Sequence, residues 1–456
     1  SHMPYVEGFG TYPFGEEWLF DAVARCYLPL LEVADKLTVG VTPVLADQLE
    51  AEGVGERMLA FLREFRLGAA EKDAAESDGA LAISARAEAE RYSAAIAQLE
   101  ALDGNALAAF QTAGESGRVE LIASAATHAV LPKLATKEGR RLQIDAGLRS
   151  HRRRFGETRG FWLPECAYTP GIEGLLAERN LAYMCLDQSA VEEPRAALVP
   201  VATASGTVAF TIDWPSVRLL WSLDGYPAHP DYGEHHKLSH NGSRLWSIGG
   251  EPRDPAKAEA RAQMHAKEFL EVTAERLRAF SEARGRRGLV VFAVDTELLG
   301  HWWTEGPVWL AALVRQAEGS GVRLLRLSEA LAEHEPEARP LRESSWGEHK
   351  DLSTWDSPPV ADMVWSARRL ELRLLRALGS GSLGEAAAAR AARELLAVQA
   401  SDWAFLEKRG QAGDYAYRRA ITHAAAVLEA LESVDPPDPF MRNLAPDLSL
   451  SPLLEP

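Results

Sequence analysis

Two short apolar runs, each ending in a carboxylate, constrain this chain more than any other feature. In Val291-Phe292-Ala293-Val294-Asp295-Thr296-Glu297, four apolar residues read as a buried parallel strand that stops at an acid. The pattern returns in Gly160-Phe161-Trp162-Leu163-Pro164-Glu165-Cys166. In an α/β barrel the strand C-termini face the active site, so acids placed there point to catalysis more often than to structure. Two carboxyls delivered by strand ends are the minimum equipment for glycosidic-bond chemistry.

The rest of the chain alternates in the same way. Strand-like runs fall at 37–41, 119–123, 160–163, 182–186, 289–294 and 322–325, with helical patterns at 16–36, 138–153, 171–179, 255–284 and 306–319. Such alternation predicts an α/β fold with a parallel sheet, most simply a barrel. Residues 43–110 are almost wholly helical in pattern and read as an insertion, interrupted by a polar loop at 71–79. Beyond residue 335 strand signals fade and helices are predicted at 358–379, 384–407 and 413–432. The expected division is a barrel over 1–335 and an all-helical domain over 336–456.

Composition removes several classes of function. A net charge of −17, from 49 basic and 66 acidic residues, disfavours a nucleic-acid partner or an anionic membrane surface. No apolar run approaches the length of a membrane span. Cys26, Cys166 and Cys185 have no metal-type spacing, and their odd number fits a reducing cytoplasm better than a disulfide framework. Twelve tryptophans against 10 tyrosines and 14 phenylalanines offer indole faces for stacking on sugars, besides their ordinary packing role. No phosphate loop, nucleophile elbow or dinucleotide fingerprint is present.

Glu165 follows a proline, which restricts the backbone around it and suits an attacking carboxylate; the alternative is an acid capping the helix that starts near Gly171. Asp295 precedes Glu297, His301, Trp302 and Trp303, so donors and rings can converge on it. As a proton donor it needs a raised pKa, from partial loss of water or a second carboxylate. His128, just past a strand, could bond a sugar hydroxyl or a catalytic carboxylate, or stand solvated in a loop. His235, His236, His240 and His301 match no zinc spacing, so no metal or other cofactor is expected.

At these residues the chain resembles glycoside hydrolase family 57 and, within it, the 1,4-α-glucan branching enzymes. His2, in Ser1-His2-Met3-Pro4-Tyr5-Val6, matches the second histidine of a His-x-His-x-Pro strand end; the first histidine would precede Ser1, so the expectation is a native start outside this chain. Tyr12-Pro13-Phe14-Gly15-Glu16-Glu17-Trp18 resembles the branching enzymes' opening loop. Further matches are Gly117-Arg118-Val119-Glu120-Leu121 with Ala126-Thr127-His128, Trp162-Leu163-Pro164-Glu165, 295–303, and Ser401-Asp402-Trp403-Ala404-Phe405.

The resemblance implies a distorted (β/α)7-type barrel with Glu165 as nucleophile and Asp295 as acid/base. It further implies substrate contacts at His2, His128, Lys237, Trp246, Gly250, His301, Trp346, Asp402, Trp403 and Gln411, and a transfer-linked tyrosine at Tyr226 on a mobile loop. Lys237 stands where many members have arginine, which loses the forked hydrogen bonding of guanidinium. The implied activity is α-1,4-glucan branching, with glucan chains as donor and acceptor. Alternatives are a 4-α-glucanotransferase or amylase of the same fold, a metal-dependent polysaccharide deacetylase, and a non-catalytic glucan-binding protein.

Overall fold

The computed structural model describes residues 1–6, 10–11, 14–193, 198–432 and 443–454; half of the opening loop at 8–15 lies outside them. The N-terminal helical stretch runs α1 (Glu16–Ala22), a π-helical turn (Val23–Tyr27) and α2 (Leu28–Val33), and leads into β1 (Leu37–Gly40). Five α-helices and a second π-helical turn (Leu62–Leu67) follow: α3 (Pro43–Leu49), α4 (Val54–Phe61), α5 (Gly68–Glu76), α6 (Gly79–Ala101) and α7 (Leu107–Glu115). The polar stretch at 71–79 is therefore mostly helix, broken only around Ser77 and Asp78. Its Ala, Glu and Lys content favours a helix even without an apolar stripe.

Then come β2 (Val119–Ser124), α8 (Lys137–Phe155), β3 (Gly160–Trp162), α9 (Ile172–Ala177), β4 (Tyr183–Leu186), β5 (Val201–Ala202), β6 (Val208–Thr211) and α10 (Trp214–Arg218). The helix α11 (Pro255–Arg284) opens with Asp254, whose carboxylate accepts from Lys257 N, and stops at Gly285, where φ is +64°. Both are strong boundary signals. The barrel region finishes with α12 (Gly306–Gln316), α13 (Leu327–Glu333) and β7 (Glu337–Ala338).

The strands form one sheet in the order β1-β2-β3-β4-β6-β5-β7, parallel except for the β5–β6 hairpin. The fold class is the α/β arrangement expected. Two anticipated strands differ: 289–294 and 322–325 are irregular. Only scattered bonds tie the first of them down, such as Asp213 N to Val291 O at 2.8 Å. A ladder needs a partner about 4.8 Å away. Between these segments and β1 lies instead a cavity of about 570 Å³, lined by Leu37, Val39, Phe292, Val294 and Leu324 among others.

Among the described residues four α-helices follow in the C-terminal region: α14 (Ala361–Gly379), α15 (Glu385–Val398), α16 (Ser401–Lys408) and α17 (Tyr415–Glu432). Leu370, Leu374, Leu395, Leu396 and Val427 form much of their core, each worth about 1.5–3 kcal/mol when fully buried. Glu371, fully buried on α14, accepts from Ala135 N, Thr136 N and Thr136 Oγ1 of the barrel and from Gln399 Nε2. The single helix predicted over 384–407 is broken at Gln399 and Ala400. Tertiary bonds override propensity there. Ala400 bridges to Ala129, and Ser401 N donates to His128 O at 3.3 Å. The break turns the start of α16 toward the strand ends.

Candidate active site

The loop after β3 carries Glu165 in the left-handed region, with φ +59° and ψ 20°. For a residue with a side chain this conformation costs about 1–3 kcal/mol. The surroundings hold it: Trp346 N donates to Glu165 O, and Trp346 Nε1 donates to Oε2, both at 2.9 Å. The helix-capping alternative does not apply, because α9 is capped by Gly171 and has Glu173 as its first-turn acid, which accepts from Gly171 N. His128, also left-handed at φ +56°, is buried and lies 3.7 Å from Glu165 Oε1. Its Nδ1 bonds Ser401 Oγ at 2.9 Å.

His2 stacks on His128, with centroids 4.0 Å apart. Its Nε2 meets Asp402 Oδ1 at 2.9 Å and its Nδ1 meets Thr42 Oγ1 at 3.0 Å. The backbone N of His2 donates to Glu297 Oε1, which also accepts from Tyr27 OH. One end of the large cavity is lined by His2, His128, Trp162 and Asp295. The β2, β3 and 295–297 loops, the first residues and the start of α16 thus converge on one cleft.

Electrostatics follow from this enclosure. Burial works against a charged His2, yet Asp402 outweighs it and raises the His2 pKa, while burial beside His2 pushes His128 down. The stack therefore favours its positive charge on His2 rather than on His128. Glu165 is pushed up to about 8, first by burial and next by Asp295. Asp295 opens onto the cleft but is hemmed in by protein, and this loss of water, with Glu297 next, pushes it up to about 6. Between about pH 6 and 8 the two carboxyls share one proton. The expected roles need it on Asp295 with the charge on Glu165. Trp346 Nε1–H and His2 both favour that charge.

Activity should therefore trace a bell in pH, with limbs near 6 and 8 that belong to the pair. Trp346→Phe removes the N–H that favours ionised Glu165. It should cut kcat/KM about 10-fold and move the upper limb to higher pH. A pH–rate profile of both proteins checks this.

Other expected contacts cluster beside the cleft or away from it. Lys237 lies over the Trp246 ring at 4.4 Å, and Gly250, φ +92°, closes the turn that begins at Ser247. His301 offers its carbonyl to His235 Nδ1 and Arg244 Nη1. Trp403 is buried behind Asp402. Gln411 is exposed after α16. Tyr226 is buried and stacks on His265 of α11 at 4.3 Å, in an aromatic cluster with Tyr232 and His229. Sequence reasoning did not assign Tyr27 or Ser401 to the site. Nothing local marks Tyr27; Ser401 stood inside a motif already singled out. Among the described residues no cluster of three or more metal-ligating side chains occurs, and no helix is long and apolar enough to cross a membrane.

A barrel-type sheet presenting two carboxyls, stacked histidines and an indole in one cleft defines a class of glycoside-bond-processing proteins. The chain belongs to glycosyl hydrolase family 57: residues 1–341 match that family, and 366–443 match the 1,4-alpha-glucan branching enzyme C-terminal family. It is 33% identical to the 1,4-alpha-glucan branching enzyme of Thermococcus kodakarensis, over 93% of this chain and 71% of that one. The crystal structure of a branching enzyme of this family from Pyrococcus horikoshii superposes with a TM-score of 0.92 at 32% identity, covering 99% of this chain and 95% of the other. The α-amylase AmyC of Thermotoga maritima gives a TM-score of 0.84 at 25% identity, covering 94% and 91%.

Proposed function

We propose that this protein is a 1,4-α-glucan branching enzyme working by retaining double displacement. Glu165 attacks the anomeric carbon while Asp295 protonates the departing glycosidic oxygen. Asp295, now a base, then takes the proton of an incoming 6-hydroxyl, and the new α-1,6 bond releases Glu165. If water replaces that hydroxyl, the outcome is hydrolysis, so transfer depends on a walled cleft and a held acceptor. His2, His128, Trp346 and Asp402 would hold the donor sugar, and Lys237, Trp246, Gly250 and His301 the neighbouring chain. Trp403 and Gln411 would belong to the C-terminal wall, and Tyr226 to the loop that covers the acceptor.

The observation that carries this reading is the Trp346–Glu165–His128–His2–Asp402 chain of contacts, which joins the barrel carboxylate to the helical domain. The match of 366–443 to the branching-enzyme C-terminal family favours transfer over the amylase reading. Three buried unpaired cysteines suit a reducing compartment, and we place the protein in the cytoplasm, acting on a glycogen-like polymer. Incubation with amylose should yield α-1,6 linkages by proton NMR. Reducing ends without new linkages would make it a hydrolase instead.

A further inference from the structure

The first six residues and the C-terminal helices meet at a buried cation that the chemistry above does not use. Arg419, on α17, is 1% exposed. Its Nη2 donates to Tyr5 O at 2.7 Å and lies 3.1 Å from His423 Nε2. The guanidinium sits over three rings at once: Trp403 at 5.4 Å, Tyr5 at 5.6 Å and Tyr415 at 5.7 Å. His423 Nδ1 in turn meets the buried Glu394 at 2.9 Å.

Placing a guanidinium there is costly. Burial pulls its pKa down to about 10, and a methionine would fill similar space without the desolvation penalty. What the guanidinium provides is geometry, because its flat fork fixes a carbonyl and several ring faces together. Both of the things it holds end on the active site. Tyr5 is three residues from His2, a span of roughly 10 Å of chain at most. Trp403 directly follows Asp402, which bonds His2 at 2.9 Å.

We propose that Arg419 is the positioning residue for the His2–Asp402 pair, clamping the 1–6 segment to α16 and α17 and so keeping the C-terminal wall of the cleft closed. This rests on the branching reading for its consequence: a loosened wall admits water to the glycosyl-enzyme and diverts transfer to hydrolysis. It rests on contacts alone for the clamp itself.

The test compares wild type with Arg419→Met and Arg419→Lys in the full chain. Histidine carbon-13 NMR, with His2 picked out from the 12 histidines by His2→Gln, follows its titration. In wild type the midpoint should lie above the ordinary 6.5, because Asp402 faces the ring, with Glu297 and Glu165 behind. Arg419→Met should bring it down by about half a unit or more as the pair loosens, with lysine intermediate. In the same protein the ratio of hydrolysis to branching should rise at least ~3-fold, with a larger change in kcat than in KM. Should Arg419→Met not fold, Tyr5→Leu removes one ring and keeps the carbonyl, and the same downward shift is expected. An unchanged His2 midpoint in whichever variant folds overturns the clamp. A wild type that hydrolyses without branching overturns the branching reading and leaves the His2 titration to decide on Arg419.

Discussion

Alanine at Glu165 or at Asp295 should each lower amylose branching by at least ~10²-fold, the usual scale for a lost nucleophile or positioned acid. The two losses should differ in kind. Without Glu165 no glycosyl-enzyme forms, so every substrate suffers alike. Without Asp295 the deficit belongs to protonating the leaving oxygen, and a glucoside whose leaving group is already a good anion should recover most of the first step. Kinetics of each variant on amylose and on such an activated glucoside separate the roles, with circular dichroism confirming the fold. Equal losses on both substrates for Asp295→Ala would remove it as the proton donor. Burial raises both carboxyls, with Asp295 adding to the shift of Glu165 and Glu297 to that of Asp295, so the division of roles relies on Trp346 and His2, which favour the charge on Glu165.

What was legible of the candidate site is the pairing of an apolar run with a following acid, which is a local signature. Pro164 before Glu165 and the apolar run before Asp295 were readable in one dimension, and the family resemblance supplied His2, Trp346 and Asp402. Their convergence was not readable, since His2 and Asp402 are 400 residues apart and meet only through the helix break at Ala400. A helical pattern at 384–407 carries no sign of that break, because the bonds that cause it come from Ala129 and His128. The β5–β6 hairpin was missed although Ser205-Gly206 between two apolar runs is a turn signal. Two-residue strands such as β5 and β7 are too short for periodicity to register. The 289–294 run illustrates the reverse error. Its residues suit a strand, but a strand exists only when a neighbour completes the ladder. Likewise the π-helical turn at Val23–Tyr27 has no sequence mark, and it holds Arg25.

Arg25→Met should destabilise the protein by about 3 kcal/mol, the lower end of the cost of removing one partner of a buried ion pair, since Glu88 keeps Arg91 at 3.5 Å. Arg25 is fully buried and pairs with Glu88 of α6, itself 4% exposed. Its Nε also donates to Gly300 O at 3.2 Å and its Nη1 to Tyr92 OH at 3.0 Å. One guanidinium thus joins α6 to the loop that follows Asp295. The packing is tight from the other side too: a Cβ on Gly300, whose φ is +116°, would stand 2.0 Å from Arg25 O. Burial opposes the charge on Glu88, but Arg25 holds its pKa down to about 2. Folding therefore gains from this carboxylate above its ordinary value near 4.5, and that gain is lost as pH falls through about 2. Urea unfolding at neutral pH should show the full deficit in Arg25→Met and a smaller one in the Arg25→Met, Glu88→Met double variant, because the under-paired carboxylate is gone while Arg91, which loses Glu88, keeps Thr304 O and the charge of Glu305. Branching should stay low in both, since neither restores the bond to Gly300 O that steadies the acid-bearing loop. A double variant as unstable as the single one would mean that the cost lies in lost packing rather than in the stranded carboxylate.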